Sequence, residues 1–208
     1  MSPIALLKRL IPDDWKLYAR TRRIDGHFRL RTPDRIFLEE TIIPWFRDHG
    51  HTRAVLDIGC DWYTRAYPAL LRAAPYHTID LDPEKARFAR GREADHQVGS
   101  LLQLDQHYPP GAYDLVLCNG VLGWGVNDRA SIALAARQLA RVLRPGGWLV
   151  LGWNDRDGYR PETLAPFDTA PFQPFALPPL GDHTHLTPTR SRHTFRILQK
   201  QSEAPVAP

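Results

Sequence analysis

The sequence lacks the patterns that indicate disulfide frameworks, metal sites and membrane spans. Its 208 residues include two cysteines, Cys60 and Cys118, which are too few for a disulfide framework. No His/Cys cluster has the spacing of a zinc site, so we expect no metal. No stretch approaches the roughly 20 apolar residues of a membrane span, and the first apolar run is too short for a signal peptide. We therefore expect a cytoplasmic protein without a membrane partner.

Long runs of one charge are also missing. The formal net charge is +4, but lysine and arginine are scattered along the chain. A scattered positive charge is weak support for nucleic-acid binding, so nucleic acid is not the partner we expect. Hydrophobic residues at 43% and charged residues at 24% are typical of a globular domain. The oligomeric state stays open.

Short apolar strands alternate with helices through the middle of the chain. Strands are predicted at 54–58, 76–81, 96–98, 113–118 and 148–153, and helices at 64–74, 84–92 and 127–143. This alternation predicts an α/β fold, a doubly wound and mostly parallel sheet with helices on both faces. A last strand at 193–200 follows a proline-rich loop instead of a helix, which favours antiparallel entry into the sheet.

The chain divides into three predicted segments. Residues 1–50 are interpreted as an N-terminal helical arm or lid, with a helix at 32–49 that Pro44 should kink. Residues 51–200 form the predicted ligand-binding domain. Residues 201–208 are expected to be a flexible tail.

Polar residues and glycines follow the predicted strands. They are Asp57, Gly59, Asp80, Ser100, Asn119 and Asn154. In such folds the carboxyl ends of the strands border the ligand crevice, so this shared placement predicts a ligand site. Asp80 lies about 20 residues beyond Gly59, where doubly wound nucleotide sites hold a ribose diol. The spacing alone is equally consistent with a solvated carboxylate on the surface.

Four stretches in succession, VLDIGC, TIDLDPEKA, YDLVLCNGVL and LARVLRPGGWLVLGW, resemble the class I S-adenosylmethionine-dependent methyltransferases. The resemblance covers about residues 54–153, and CDWYT and NGVLGWGVND are similar to one branch seen in bacterial sequences. It implies a Rossmann-like seven-stranded sheet with an antiparallel strand at 193–200. It also implies S-adenosylmethionine as the cofactor and O- or N-methyl transfer to a small-molecule acceptor.

The resemblance assigns roles to residues at the strand ends. It implies that Asp80 binds the ribose hydroxyls and that Asn119 and Gly120 lie beneath the reactive methyl. The cofactor-binding residues that we expect are Asp57, Gly59, Cys60, Asp61, Asp80, Leu81, Ser100, Leu101, Asn119 and Gly120. The expected substrate-binding residues, chosen for their place beside the strand ends, are Trp62, Tyr63, Trp124 and Asn154.

Glycine is scarce in the loop where the resemblance requires it. In the family loop D-x-G-x-G-x-G, the second and third glycines fall at Asp61 and Tyr63. Glycines in such loops let backbone approach a ligand where a Cβ would clash. If these side chains obstruct the usual pose, Asp61→Gly together with Tyr63→Gly should tighten cofactor binding.

A catalytic base is not evident, which leaves other functions open. The candidates are His183, His185, His193 and Asp155, although a histidine on a loop can simply be solvated. The main alternative is a non-catalytic binding or scaffolding protein with the same fold. A nicotinamide-dependent oxidoreductase is disfavoured by the absence of G-x-G-x-x-G. Nucleic-acid base modification is disfavoured because Asn119-Gly120-Val121 stands where such enzymes often have Pro-Pro-Tyr.

Overall fold

A computed structural model describes residues 21–24, 27–73, 75–89, 95–169 and 171–202, and its centre is an eight-stranded sheet. A separate hairpin pairs β1 with β2. The strands are β1 Thr21–Ile24, β2 His27–Leu30, β3 Val55–Ile58, β4 Tyr76–Asp80, β5 His96–Val98, β6 Tyr113–Asn119, β7 Leu143–Asn154, β8 Phe172–Pro174, β9 Thr184–Leu186 and β10 His193–Lys200.

The strand order is β5-β4-β3-β6-β7-β10-β8, with β9 paired to β10. Strands β3 to β7 are mutually parallel, and β10 is antiparallel to β7. The doubly wound, mostly parallel sheet predicted from the sequence is therefore confirmed, including the antiparallel entry of the last strand. Strand order reverses direction between β3 and β6, which places the crevice of such a fold at their carboxyl ends.

A helical segment follows the β1–β2 hairpin and covers one face of the sheet. It consists of α1 Pro33–Phe37, a π-helical turn Leu38–Ile42 and α2 Ile43–Asp48. The helix that Pro44 was expected to kink or split is interrupted by the π-helical turn just before this residue. Proline cannot donate the backbone hydrogen bond of a regular helix. Residues 1–20, the first part of the predicted arm, lie outside the described residues.

The predicted helices at 64–74 and 84–92 are shorter in the structure. The first is a 3₁₀ turn, Trp62–Thr64, followed by α3 Tyr67–Leu71, which ends at Arg72 in the left-handed region with φ 53°. The second is a 3₁₀ helix, Pro83–Phe88. The segment at 64–74 differs from the prediction because Asp61, and not Thr64, is its cap. A new helix then begins around Pro68.

The other face of the sheet carries a 3₁₀ segment, Leu101–Gln106, and the longest helix, α4 Arg129–Val142. Asp128 caps α4, because its carboxylate accepts hydrogen bonds from the backbone of Ala130 and Ser131 at 2.9 Å. The two sides of the sheet bury separate apolar clusters, one against α4 and the other against α1 to α3. The sheet is thus covered on both faces, as the alternation of strands and helices predicts.

The chain after β7 contributes to both faces of the sheet. The 3₁₀ turn Ala165–Phe167 packs on the α4 side, whereas Leu177 is buried on the α1 side. The short strands β8 and β9 both pair with β10. The ring of His185 in β9 stacks on Phe37 of α1 at 3.6 Å between ring centroids. Residues 33–48 of the predicted arm therefore pack within the same core as the domain. Within the described ranges, the helices are too short or too polar to cross a membrane.

Candidate active site at the carboxyl edge of the sheet

The loop after β3 turns tightly at Gly59. This residue has φ 85°, and a Cβ there would lie 3.0 Å from the side chain of Val121 in the loop after β6. A larger residue would meet both backbone strain and a close contact. Gly59 therefore keeps the loops after β3 and β6 in contact at the point where the strand order reverses.

The missing glycines of this loop are replaced by a capped 3₁₀ turn. Asp61 accepts a hydrogen bond from the backbone N–H of Trp62 at 2.6 Å, and its own N–H donates to Thr64 Oγ1 at 3.0 Å. The other carboxylate oxygen of Asp61 lies 2.6 Å from the ammonium of Lys85, in the 3₁₀ helix after β4. Burial alone would lower the pKa of Lys85, but the hydrogen bond and charge of Asp61 raise it. The loop is thus fixed by side chains.

Asp57 lines a cavity beside α3. It is buried, and it accepts a hydrogen bond from the hydroxyl of Tyr76 at 2.9 Å. Burial raises the pKa of Asp57 to about 6, although Tyr76 and Arg35 oppose the shift. The cavity, of about 220 Å³, is lined by Asp57, Cys60, Thr64, Tyr76, Thr78 and other residues. Asp80, Ser100 and Asn119 are not among its lining residues, so the predicted cofactor residues divide between this cavity and the sheet edge.

Asp80 and two exposed apolar side chains lie together at the ends of β4 and β5. One oxygen of Asp80 accepts from the backbone N–H of Asp82 at 2.9 Å, and burial raises the pKa of this carboxyl. Leu81 is 70% exposed and Val98 is 50% exposed, which is unusual for large apolar residues in a well-packed domain. A carboxylate next to open apolar surface fits a nucleoside, whose ribose hydroxyls donate hydrogen bonds and whose base is flat and apolar. The edge therefore fits the nucleoside part of S-adenosylmethionine.

The neighbouring strand end is less accessible. The hydroxyl of Ser100 accepts from the backbone N–H of Leu102 at 3.1 Å and caps the 3₁₀ segment that follows. The side chain of Leu101 is buried in the core, 4% exposed. Leu101 is therefore a core residue, and its side chain is not open to a ligand at this edge.

Across the reversal point, three polar side chains form a hydrogen-bonded chain. His193 at the start of β10 has Nε2 2.8 Å from Oδ1 of Asn119 and Nδ1 2.8 Å from Oδ1 of Asn154. Both His193 and Asn119 are buried, and Nδ2 of Asn119 has no hydrogen-bond partner. Burial, and to a smaller extent the charge of Arg35, lower the pKa of His193 to about 4. The imidazole is therefore neutral at physiological pH.

The other candidate bases are bound to neighbours. His183 lies 2.9 Å from the carboxylate of Asp182, and His185 stacks on Phe37. The carboxylate of Asp155 contacts Arg160 at 2.6 Å and Arg192 at 3.5 Å. The structure therefore places His193, and not His183 or His185, beside the predicted site residue Asn119.

Aromatic side chains flank the edge on two sides. Trp124 is 59% exposed, and its ring centroid lies 4.6 Å from that of Tyr159. Tyr63 packs edge-on against Trp62 and lies under the guanidinium of Arg35, 4.6 Å from its ring centroid. Trp124 therefore presents an open aromatic surface, whereas Tyr63 is engaged inside the protein.

Sequence reasoning missed Arg35, Lys85, Tyr67 and Tyr159. Arg35 is buried and donates to the hydroxyl of Tyr67 at 3.1 Å, and Asp34 lies 3.8 Å away. Burial opposes the charge of Arg35, but the two phenols and Asp34 raise its pKa above the usual value. A buried guanidinium is a signal of a site, yet no local pattern of the sequence separates Arg35 from the other arginines of the arm.

Comparison with known proteins places this geometry in context. Residues 56–151 match the family model described as a methyltransferase domain. A probable methyltransferase, PMT12 of Arabidopsis thaliana, is 29% identical over 127 residues, which are 58% of this chain and 17% of the relative. The chain thus spans less than a fifth of the length of that curated relative.

Two solved structures share the fold over nearly the whole chain. The N-methyltransferase NodS of Bradyrhizobium japonicum, in complex with S-adenosylhomocysteine, has a TM-score of 0.63 at 18% identity, covering 94% of this chain and 96% of NodS. The 1,6-didemethyltoxoflavin-N1-methyltransferase of Burkholderia thailandensis has a TM-score of 0.57 at 18% identity, covering 97% and 92%. These matches confirm the Rossmann-like fold. The domain match over residues 56–151 agrees with the resemblance noted in the sequence.

Proposed function

The chain has the fold of the class I S-adenosylmethionine-dependent methyltransferases and a segment that matches their domain family, and from this premise we propose that it transfers a methyl group to a small-molecule acceptor. The observation that carries the proposal is the sheet edge at β4 and β5. There Asp80 stands beside the exposed side chains of Leu81 and Val98. This combination suits an adenosine group and has no evident role in folding.

The cofactor would lie across the carboxyl edge, from β5 towards β6. Asp80 accepts hydrogen bonds from the ribose hydroxyls, and Leu81 supports the base. Gly59 allows backbone to approach the methionine part. The cofactor supplies an electrophilic methyl group on a sulfonium sulfur. The protein then has to bind both reactants, align the acceptor with the methyl group and exclude water.

The acceptor would bind beyond β6, where Trp124 offers an exposed aromatic face. The neighbouring Arg156 stacks on Tyr159 at 4.0 Å and gives this side a positive charge. A planar small molecule suits such a surface better than a polymer does. A relative named for methylation of 1,6-didemethyltoxoflavin supports the same class of acceptor.

Calorimetric titration of the purified protein with S-adenosylmethionine and S-adenosylhomocysteine tests the proposal. We expect micromolar binding of both and none of NAD. Asp80→Ala should abolish binding while the thermal transition stays in place, and Glu84→Ala, which removes an exposed carboxylate of the following 3₁₀ helix, should bind normally.

A folded protein that binds neither compound would contradict the proposal and favour the alternative, a non-catalytic protein that uses this fold for binding or scaffolding. The capped loop at Asp61 is the feature that favours this alternative. If Asp80→Ala instead bound S-adenosylmethionine with unchanged affinity, only the assignment of Asp80 to the ribose hydroxyls would be contradicted.

We also propose a cytoplasmic location without a nucleic-acid or membrane partner. Both cysteines are free and buried in the described part of the chain, as is usual in a reducing compartment.

A further inference from the structure

The chain formed by Asn119, His193 and Asn154 is not explained by folding alone. It crosses three adjacent strand ends, with β10 bringing His193 from a distant part of the sequence to β6 and β7. It also needs Gly152 in β7, since a Cβ there would lie 2.1 Å from Oδ1 of Asn119 and 2.8 Å from Nε2 of His193. Glycine in the interior of a buried strand weakens that strand, so the space serves the polar chain and not the packing.

Counting hydrogen atoms limits how the three side chains can be arranged. A neutral imidazole has one N–H and one lone pair, so it donates to one asparagine and accepts from the other. Both ring nitrogens face Oδ1 atoms, so one of the two carboxamides must be turned over, which exchanges its oxygen and nitrogen. We take the arrangement that keeps Asn119 as the structure has it: Nε2–H donates to Oδ1 of Asn119, and Nδ1 accepts from the amide nitrogen of Asn154. In the reverse arrangement, Nδ1–H donates to Asn154 and the free atom of Asn119 is its oxygen. His193 is thereby occupied at both nitrogens and is not available as a proton acceptor for catalysis.

At one end of this hydrogen-bonded series of side chains, the amide nitrogen of Asn119 has no partner. This Nδ2 atom is buried without a hydrogen-bond partner, although buried donors are nearly always paired. Asn119 lies at the carboxyl end of β6, on the far side of the strand reversal from Asp80 and beside the loop that carries Trp124. An unpaired donor held in a fixed orientation at this position points to a ligand atom that accepts a hydrogen bond.

We propose that Asn119 determines acceptor specificity, and that His193 is a positioning residue that holds the Asn119 carboxamide with Nδ2 towards the acceptor. The acceptor class is a planar small molecule with a carbonyl oxygen or a ring nitrogen near the methylated atom. This inference rests on the proposed function and deepens it.

Matched pairs of aromatic probes test the donor in protein saturated with S-adenosylhomocysteine. The pairs are acetophenone with α-methylstyrene and quinoline with naphthalene, which differ only in the hydrogen-bond acceptor. In NMR titrations, we expect the acceptor-bearing member to bind about tenfold tighter to the wild type, a ratio that one hydrogen bond of about 1.4 kcal/mol gives. Asn119→Leu and His193→Phe should both reduce the ratio to about one.

Conservative variants separate positioning from a merely structural role. His193→Gln should keep the preference, because its amide reaches the place of Nε2, and His183→Gln on the exposed turn is the matched control. If His193→Phe does not fold, Asn154→Ala interrupts the same chain from its other end. Nitrogen-15 NMR of His193 should show a neutral ring protonated at Nε2.

Failure of this inference and failure of the proposed function give different results. An equal affinity for both members of each pair in the wild type, a preference that survives His193→Phe, or a ring protonated at Nδ1 would overturn the inference. Calorimetry gives the affinity of S-adenosylhomocysteine for the wild type and for each variant, so that every probe titration is made at a saturating concentration. If the wild type does not bind it, the proposed function itself fails.

Discussion

Among single residues, Asp57 makes the clearest prediction about stability. Its carboxyl is buried, and its pKa is raised from the ordinary value of 3.8 to about 6. The folded state therefore holds the proton more tightly than the unfolded state does. It follows that stability falls as pH rises from about 4 through about 6, and that the full penalty is present at pH 7.

We expect Asp57→Asn to remove this penalty. The amide oxygen can still accept from Tyr76, so the free energy of unfolding at pH 7 should rise by about 1–3 kcal/mol. Urea denaturation at pH 4, 5, 6 and 7 measures this change in the free energy of unfolding, and Asp157→Asn at an exposed position is the control. A variant that is less stable at pH 7 and unchanged at pH 4 would show that the charged form is favoured in the fold.

Asp61 reverses an expectation drawn from the sequence. Taken as a replaced glycine, it should obstruct the cofactor, so Asp61→Gly together with Tyr63→Gly should tighten binding. The structure gives it a cap and an ion pair with Lys85. We now expect Asp61→Gly to lower stability by about 1–2 kcal/mol, because a helix cap contributes about 1 kcal/mol and a partly exposed ion pair contributes less.

Lys85→Met is the matched variant, since it removes the ion pair and leaves the cap. It should cost less than Asp61→Gly in thermal unfolding, and both should weaken binding of S-adenosylhomocysteine because the loop loses its fixed shape. Tighter binding by Asp61→Gly would restore the view that this side chain is an obstruction.

At the scale of elements, the strands were predictable and the helices less so. The strand β5 has the predicted bounds, and β10 enters antiparallel as expected. Apolar runs with turn residues at their ends define such strands locally. The prediction of one helix at 64–74 was wrong, because the segment begins at the cap Asp61 and ends at Arg72 in the left-handed region. Hydrophobic periodicity indicates neither feature.

The candidate site also contains residues that were predictable from the sequence and residues that were not. Residues that follow strands were predictable, because register brings strand ends to one edge of the sheet. Arg35 and Lys85 were missed, since each reaches its place through contacts with loops distant in sequence. His193 was one of three similar histidines in the C-terminal segment, and only the pairing of β10 with β7 places it beside Asn154 and near Asn119.

The loops after β6 and β7 are locked together at Gly123. A Cβ on this residue would lie 1.8 Å from the carbonyl oxygen of Tyr159, and its φ is 86°. Gly158 has a similar φ of 79° but nothing within 4 Å of a Cβ, so it is a matched control. Gly158→Ala should cost about 1–2 kcal/mol from backbone strain alone, and Gly123→Ala a further 1–3 kcal/mol from the contact.

Urea unfolding measures the free energy of unfolding of both variants. Acrylamide quenching of tryptophan fluorescence, compared with the same variants carrying Trp124→Phe, reports whether Trp124 becomes more exposed. Equal costs in the two variants would mean that the loops separate freely. In that case Trp124 would not be a fixed wall of the site.

At the scale of the whole molecule, ligand binding and folding are linked. A ligand that binds only the folded state, present at 100 times its dissociation constant, raises the free energy of unfolding by about 2.7 kcal/mol. S-adenosylhomocysteine should therefore raise the thermal transition of the wild type. Asp80→Ala should show no shift at the same ligand concentration, although its transition without ligand is unchanged.

Hydrogen exchange distinguishes the two places where a ligand could lie. Bound at the sheet edge, S-adenosylhomocysteine should slow exchange in the loop after β3 and around Leu81 and Val98, and leave α3 unchanged. Slower exchange centred on α3 and Thr78 would place the ligand in the cavity that contains Asp57. Because the edge contains the exposed apolar side chains and the cavity contains a buried carboxyl, we expect the first pattern.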